Sequence, residues 1–246
     1  MIQVESLMFK KIIEIENIPA VVWGSAAKKV VVAVHGNMSH KTDVPIEVLA
    51  QNVSVNGYQV LSFDLPEHGD RKNEDTPCKV QHCVKDLIKV MQHAKANWEE
   101  ISLFANSMGA YFSLLAYRNE SIKKAWFLSP VVDMKRIIDN MMMWFYVSED
   151  RLRREQTIAT PIGHKLYWDY YCYVNENPID GWSVPTAILY GSEDDICDRG
   201  VLVDFVEKFS CELQVVQGAG HYFHTAEQLG VLSDWLENDV RNGGNG

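Results

Sequence analysis

Short, nearly continuous apolar runs alternate along this chain with longer stretches whose apolar residues recur at helical spacing. The first kind predicts strands at roughly 9–16, 20–23, 30–34, 59–64, 101–105, 125–128, 186–190 and 212–217. The second kind predicts helices at 44–55, 79–96, 107–117, 199–209 and 226–240, and in the fourth of these Val201, Phe205 and Phe209 fall on one face. The middle strands are apolar throughout, as parallel strands covered on both faces must be. Helices between successive strands imply crossover connections. The expected fold class is therefore α/β, with a mostly parallel central sheet and helices on both faces. The first two runs are close together and predict an antiparallel hairpin at the sheet edge.

The alternation breaks once. More than fifty residues separate the run ending near Leu128 from the one starting at Thr186. The stretch is helical in pattern and rich in large side chains, among them Met141, Met142, Met143, Trp144, Tyr170 and Trp182. It reads as an insertion at about 131–182, a small helical lid over the sheet end where ligands bind in such folds. The competing reading is an elaborate crossover with a well-filled core. Neither a repeat nor an interdomain linker is evident, so 1–246 reads as one domain. The tail at 242–246 is expected to be disordered.

The chemistry starts at Ala105-Asn106-Ser107-Met108-Gly109. It joins a predicted strand to a predicted helix, so the serine sits on a sharp turn with its hydroxyl exposed and the first helical N–H groups beside it. A serine that merely caps the helix is the bland alternative. A hydroxyl needs a base to become a nucleophile. Among eight histidines, His221 follows the last strand within Gly218-Ala219-Gly220-His221, where glycines let a loop turn over the sheet edge. His224 is the reserve. The base needs an orienting carboxylate. Asp194 follows the strand 186–190 and the turn Gly191-Ser192-Glu193, with Asp195 and Asp133 as alternatives. An anion-stabilising pocket would come from the backbone N–H groups of Met108 and of Asn37, which follows His35-Gly36 at another strand end. His35 reads as a brace for that loop. A His35/His68 metal site lacks a third ligand at zinc-like spacing, so no metal is expected.

These pieces, together with Asp64-Leu65-Pro66-Glu67-His68-Gly69 and Gly191-Ser192-Glu193-Asp194, resemble the α/β-hydrolase superfamily over nearly the whole chain. The one departure is Ala105 where the family's elbow usually has glycine. The resemblance implies Ser107 as nucleophile, His221 as base, Asp194 as acid, Asn37 and Met108 as backbone oxyanion donors, and no cofactor. It implies a serine hydrolase acting on carboxylic esters through an acyl-enzyme, with thioesterase, lactonase or peptidase chemistry open to the same residues. Serine at the elbow sets the chain apart from dehalogenases and epoxide hydrolases, which carry aspartate there. Size and spacing are similar to small bacterial esterases of the feruloyl or cinnamoyl type. The aromatic and methionine-rich insertion suggests a small apolar or aryl acyl group. A non-catalytic ligand-binding protein of the same fold is the alternative from another class.

Charge and cysteine usage narrow the setting. A formal charge of −10, with no basic block to offset it, argues against nucleic acid or an anionic membrane as partner. The partner expected is a small ester-like molecule, with the oligomeric state open. Five scattered cysteines show no zinc or C-x-x-C spacing and fit reduced thiols in the cytoplasm. No stretch reaches the about 18 apolar residues of a membrane span, and the first residues carry no secretory pattern.

Overall fold

A computed structural model describes residues 8–243. The chain begins with a hairpin, β1 (Lys10–Ile15) and β2 (Ile18–Trp23), followed by β3 (Lys29–Val34), α1 (Val44–Ser54), β4 (Tyr58–Phe63), α2 (Val80–Asn97), β5 (Glu100–Asn106), α3 (Met108–Ala116) and β6 (Ala125–Leu128). Five elements of the 128–186 stretch come next: α4 (Met134–Trp144), α5 (Glu149–Glu155), the two-stranded hairpin β7 (Thr157–Ala159) and β8 (Lys165–Tyr167), and α6 (Trp168–Glu176). β9 (Thr186–Gly191), α7 (Arg199–Phe209), β10 (Glu212–Val216) and α8 (Ala226–Gly243) complete it.

The main sheet has eight strands in the order β1-β2-β4-β3-β5-β6-β9-β10. β1 and β2 pair antiparallel, as does β2 with β4, and every other neighbour is parallel. β3 lies at the centre, apolar from Val30 to Val34, and those residues are wholly shielded from solvent. Its two faces feed two cores. One packs under α2, α3 and α7 through Leu87, Phe112 and Phe205. The other packs under α1 and α8 through Leu49, Leu232 and Leu236. Burial of a side chain of this size contributes roughly 1.5–3 kcal/mol, which makes the central strands the rigid platform of the molecule.

Register decides what meets at the sheet edge. Val34 stands beside Ala105, Asn106 beside Leu128, Leu128 beside Leu189, and Gly191 beside Val216. The segments that leave β3, β5, β9 and β10 therefore emerge side by side at one edge, and each carries one of the residues singled out for chemistry.

The 128–186 stretch corrects the sequence reading in one respect, because it is not helical throughout. Thr160 donates its N–H to His164 O at 2.7 Å, and Gly163 adopts a φ of 84° that a side chain would disfavour. Pro161 and Gly163 make a turn there that helix cannot cross, and β7 and β8 pair around it. α6 packs on α2 and α4. Lys79 ties the stretch to α2, reaching Asp169 at 2.8 Å and lying over the Tyr167 ring. α8 runs on through Gly243, so the tail expected to be disordered begins inside a helix. Its last residues, and the N-terminal residues read for a leader, lie outside the described part. Among the described residues no helix is long and apolar enough to cross a membrane.

Candidate active site

Ser107 occupies the single residue between β5 and α3, with φ 53° and ψ −123°. A non-glycine residue with positive φ costs of order 1–3 kcal/mol and persists only where its surroundings hold it. They do so here. The Ser107 N–H donates to Leu128 O at 3.0 Å, and Ser107 O accepts from the Val131 and Ala110 N–H groups, each at 3.0 Å. Gly109 allows α3 to press on the end of β3, since a Cβ there would stand 2.5 Å from His35 O and 2.7 Å from Val34 O. Ala105, the departure from the usual glycine, is an ordinary strand residue with no exposed surface. A methyl group at that position is absorbed by the core.

His221 comes from the loop after β10. That loop is laced to the end of β9 by Ser192 N–H to Val216 O and Glu193 N–H to Ala219 O, both 2.9 Å. The approach is close enough that a Cβ on Gly191 would lie 2.3 Å from Ala219 O. The imidazole then stands between its two neighbours, with Nε2 2.9 Å from Ser107 Oγ and Nδ1 2.8 Å from Asp194 Oδ2. Both the His221 and Asp194 side chains are shielded from solvent. The other carboxylate oxygen of Asp194 accepts the Ile196 and Cys197 N–H groups at 2.9 and 2.8 Å, which fixes the carboxylate's rotation. The alternatives are placed elsewhere. Asp133 caps α4 by accepting the Arg136 N–H, Asp195 is exposed, and His224 is exposed with Nδ1 turned to Tyr222 O.

The loop after β3 delivers Asn37. A Cβ on Gly36 would stand 3.0 Å from Ser107 Cβ, so this loop runs directly alongside the serine. Among the described residues, neither the Asn37 nor the Met108 backbone N–H has a hydrogen-bond partner. Two such donors beside a hydroxyl can stabilise an oxyanion formed on it. His35 braces the loop. Its Nε2 accepts the Leu65 N–H at 3.0 Å while Nδ1 lies 2.7 Å from Gly36 O. Burial pushes its pKa down to about 4, with His68 and His40 adding repulsion, so the ring is neutral. Both nitrogens are engaged, which leaves none to ligate a metal alongside His68. Among the described residues, the one cluster of three or more metal-compatible groups is Asp194, Cys197 and His221, two of which are the hydrogen-bonded pair beside Ser107.

Two neighbours of the site carried no sequence signal. The Cys197 thiol lies 3.8 Å from His221 Nδ1 and 3.7 Å from Ser129 O. Burial raises its pKa, so it stays a neutral wall for the imidazole. Ser129 sits at φ 43° with its hydroxyl buried and unpartnered among the described residues. Both become neighbours of the relay only when β6 and β9 pair.

A cavity of about 570 Å³ opens onto Ser107 and His221. Met134, Ile137, Ile138 and Met141 of α4 form one wall, and Glu67, His68 and Cys78 form another.

No curated protein sequence matches the chain. Among solved structures, Est1E from Butyrivibrio proteoclasticus with ferulic acid bound is similar, with TM-score 0.77 and 19% identity over 95% of this chain and 98% of that one. Mouse alpha/beta hydrolase domain-containing protein 10 is similar at TM-score 0.73 and 12% identity, over 95% of this chain and 99% of its own. An esterase from Pyrococcus furiosus follows at TM-score 0.66 and 17% identity, over 96% and 90%. These likenesses show the fold. The model of the family described as serine aminopeptidase, S33, matches residues 25–166, more than half of the chain. By that match and by its sheet, the chain belongs to this hydrolase family within the α/β-hydrolase superfamily.

Proposed function

We propose that the protein is a serine hydrolase that cleaves carboxylic esters through an acyl-enzyme on Ser107. The observation that carries this reading is the placement of His221 within hydrogen-bond reach of both the Ser107 hydroxyl and the Asp194 carboxylate. His221 takes the hydroxyl proton as Oγ attacks the acyl carbonyl, and Asp194 holds the ring and steadies the imidazolium that forms. The oxyanion is received by the Asn37 and Met108 N–H groups, each such donor contributing about 3 kcal/mol in the transition state. His221 then protonates the leaving alcohol, and a water activated by the same ring releases the acid.

The acyl group is apolar and small or aryl. The cavity supports this, because α4 offers four apolar side chains to it at helical spacing, and about 570 Å³ suits a modest ligand. The 131–182 insertion acts as the lid that supplies this wall, on a single catalytic domain. The five cysteines are unbridged, which suits a reducing, cytoplasmic setting.

Hydrolysis of p-nitrophenyl esters from acetate to octanoate tests the reading. The wild type turns them over, and Ser107→Ala lowers kcat by about 10⁶. A folded wild type that turns over none of them removes the ester reading. A peptidase reading has one observation of its own: Glu67 places a carboxylate in the cavity wall, where a substrate ammonium could pair with it. Faster turnover of amino-acid anilides than of esters, lost in Glu67→Gln, would favour it.

A further inference from the structure

At and behind the cavity wall stand two cysteines and a histidine that the ester chemistry does not use. Cys78 lies just before α2 and lines the cavity; Cys83 lies in the first turns of α2 and is buried behind it. Their sulfurs are 3.6 Å apart. Cys78 is anchored by its own N–H, which donates to Glu67 Oε2 at 2.7 Å. His68 lines the same wall, and both of its nitrogens face oxygen acceptors, Nδ1 at 2.8 Å from Pro66 O and Nε2 at 3.3 Å from Asn37 Oδ1. A doubly protonated ring satisfies both.

From this cluster we infer that Cys78 and Cys83 are a modification site, a dithiol that hydroperoxides entering the cavity convert to a disulfide and thiol reductants restore. The charge distribution supports the assignment. The Cys83 thiol and then the His68 ring hold the Cys78 pKa down at about 6 against the desolvation of its site. Burial, and then Cys78, push Cys83 far up. For His68, burial opposes the charge, but Cys78 and the Pro66 carbonyl outweigh it and raise the pKa. One sulfur is therefore the thiolate that reacts, and the other is the protonated thiol that resolves.

The steps balance. The Cys78 thiolate attacks a peroxide oxygen and the O–O bond breaks. The departing hydroxide takes the His68 proton and leaves as water, and Cys78 becomes a sulfenic acid. The Cys83 sulfur then attacks the Cys78 sulfur, the S–O bond breaks, and a second water carries off the Cys83 proton. Two thiols are oxidised by two electrons and one hydrogen peroxide is reduced to two waters. The new bond needs the sulfurs to close from 3.6 Å to about 2.05 Å. The mobile partner is Cys78, because Cys83 is set in α2 and wholly buried.

The test reads mass rather than turnover. The folded protein is treated with hydrogen peroxide, free thiols are capped, and peptides are mapped without reduction. A Cys78–Cys83 link that dithiothreitol reverses is expected, in the Ser107→Ala chain as in the wild type, so the result stands apart from the ester reading. In Cys83→Ser, Cys78 is expected to stop at a sulfenic acid that dimedone traps. A Cys78 that stays a thiol in the wild type, or that links elsewhere, overturns the inference. The pH profile of Cys78 alkylation is the second measurement. A midpoint near 6 is expected, moving up in His68→Asn; a midpoint that His68→Asn leaves unchanged overturns the role of His68.

Discussion

The site is built from residues that can each do only one thing where they stand. His221 has a hydroxyl at Nε2 and a carboxylate at Nδ1, so its tautomer and rotation are set before a substrate arrives. His35 is held neutral by burial, and this has a consequence for stability. Its pKa drops from 6.5 to about 4 on folding, so between those values the unfolded chain binds the proton and the folded chain does not. The stability it contributes is complete above pH 6.5 and is lost as pH falls through about 4, in total about 3 kcal/mol. Urea unfolding across this window checks it. His35→Gln, whose amide oxygen can accept the Leu65 N–H, is expected to lose less stability than the wild type on the acid side. Equal slopes for the two proteins would contradict the assignment.

At the scale of elements, the relay depends on where strands end. The loop bearing His221 is pressed against the end of β9, and Gly191 is the residue that permits it. Gly191→Ala is expected to leave the sheet intact but displace the imidazole, lowering kcat ten- to a hundredfold with far less effect on KM. Steady-state kinetics on one ester reads this directly. α4 sets the other side of the site. Met141 lines the cavity, and Met141→Trp is expected to lower kcat/KM for octanoate about tenfold relative to acetate. An unchanged chain-length profile would mean that the acyl group lies elsewhere. These elements differ in how far the sequence discloses them. β3, β5 and β9 are short apolar runs ending in glycine or serine turns, and their pattern marks both their type and their exit points. The hairpin β7–β8 is three residues on each side, with one buried position per strand. Too little alternation exists there to distinguish it from helix, and only Pro161 and Gly163 signal the turn.

At the scale of the molecule, parallel pairing gathers residues more than a hundred positions apart. Ser107 and His221 are far apart in sequence yet 2.9 Å apart in space, because β5, β6, β9 and β10 share one register. The order Ser, Asp, His along the chain was legible because each residue follows a recognisable strand. Asp194 came first by its place after the turn at Gly191, but the chain alone left Asp195 and Asp133 open. The selection depends on the turn in which Ile196 and Cys197 hold one carboxylate oxygen while the other meets His221. His68 was legible only as part of the loop after β4 and as a possible neighbour of His35, and its meeting with Cys78 was not, since the two come together only where the segment after β4 folds against α2. Ser107 is the point on which these scales converge, and one labelling measurement tests it. The folded chain is treated with a fluorophosphonate and the modified peptide is mapped by mass. One adduct per chain on Ser107 is expected, absent in Ser107→Ala and formed far more slowly in His221→Asn. No adduct, or an adduct on another residue, would contradict the assignment of Ser107 as the activated nucleophile.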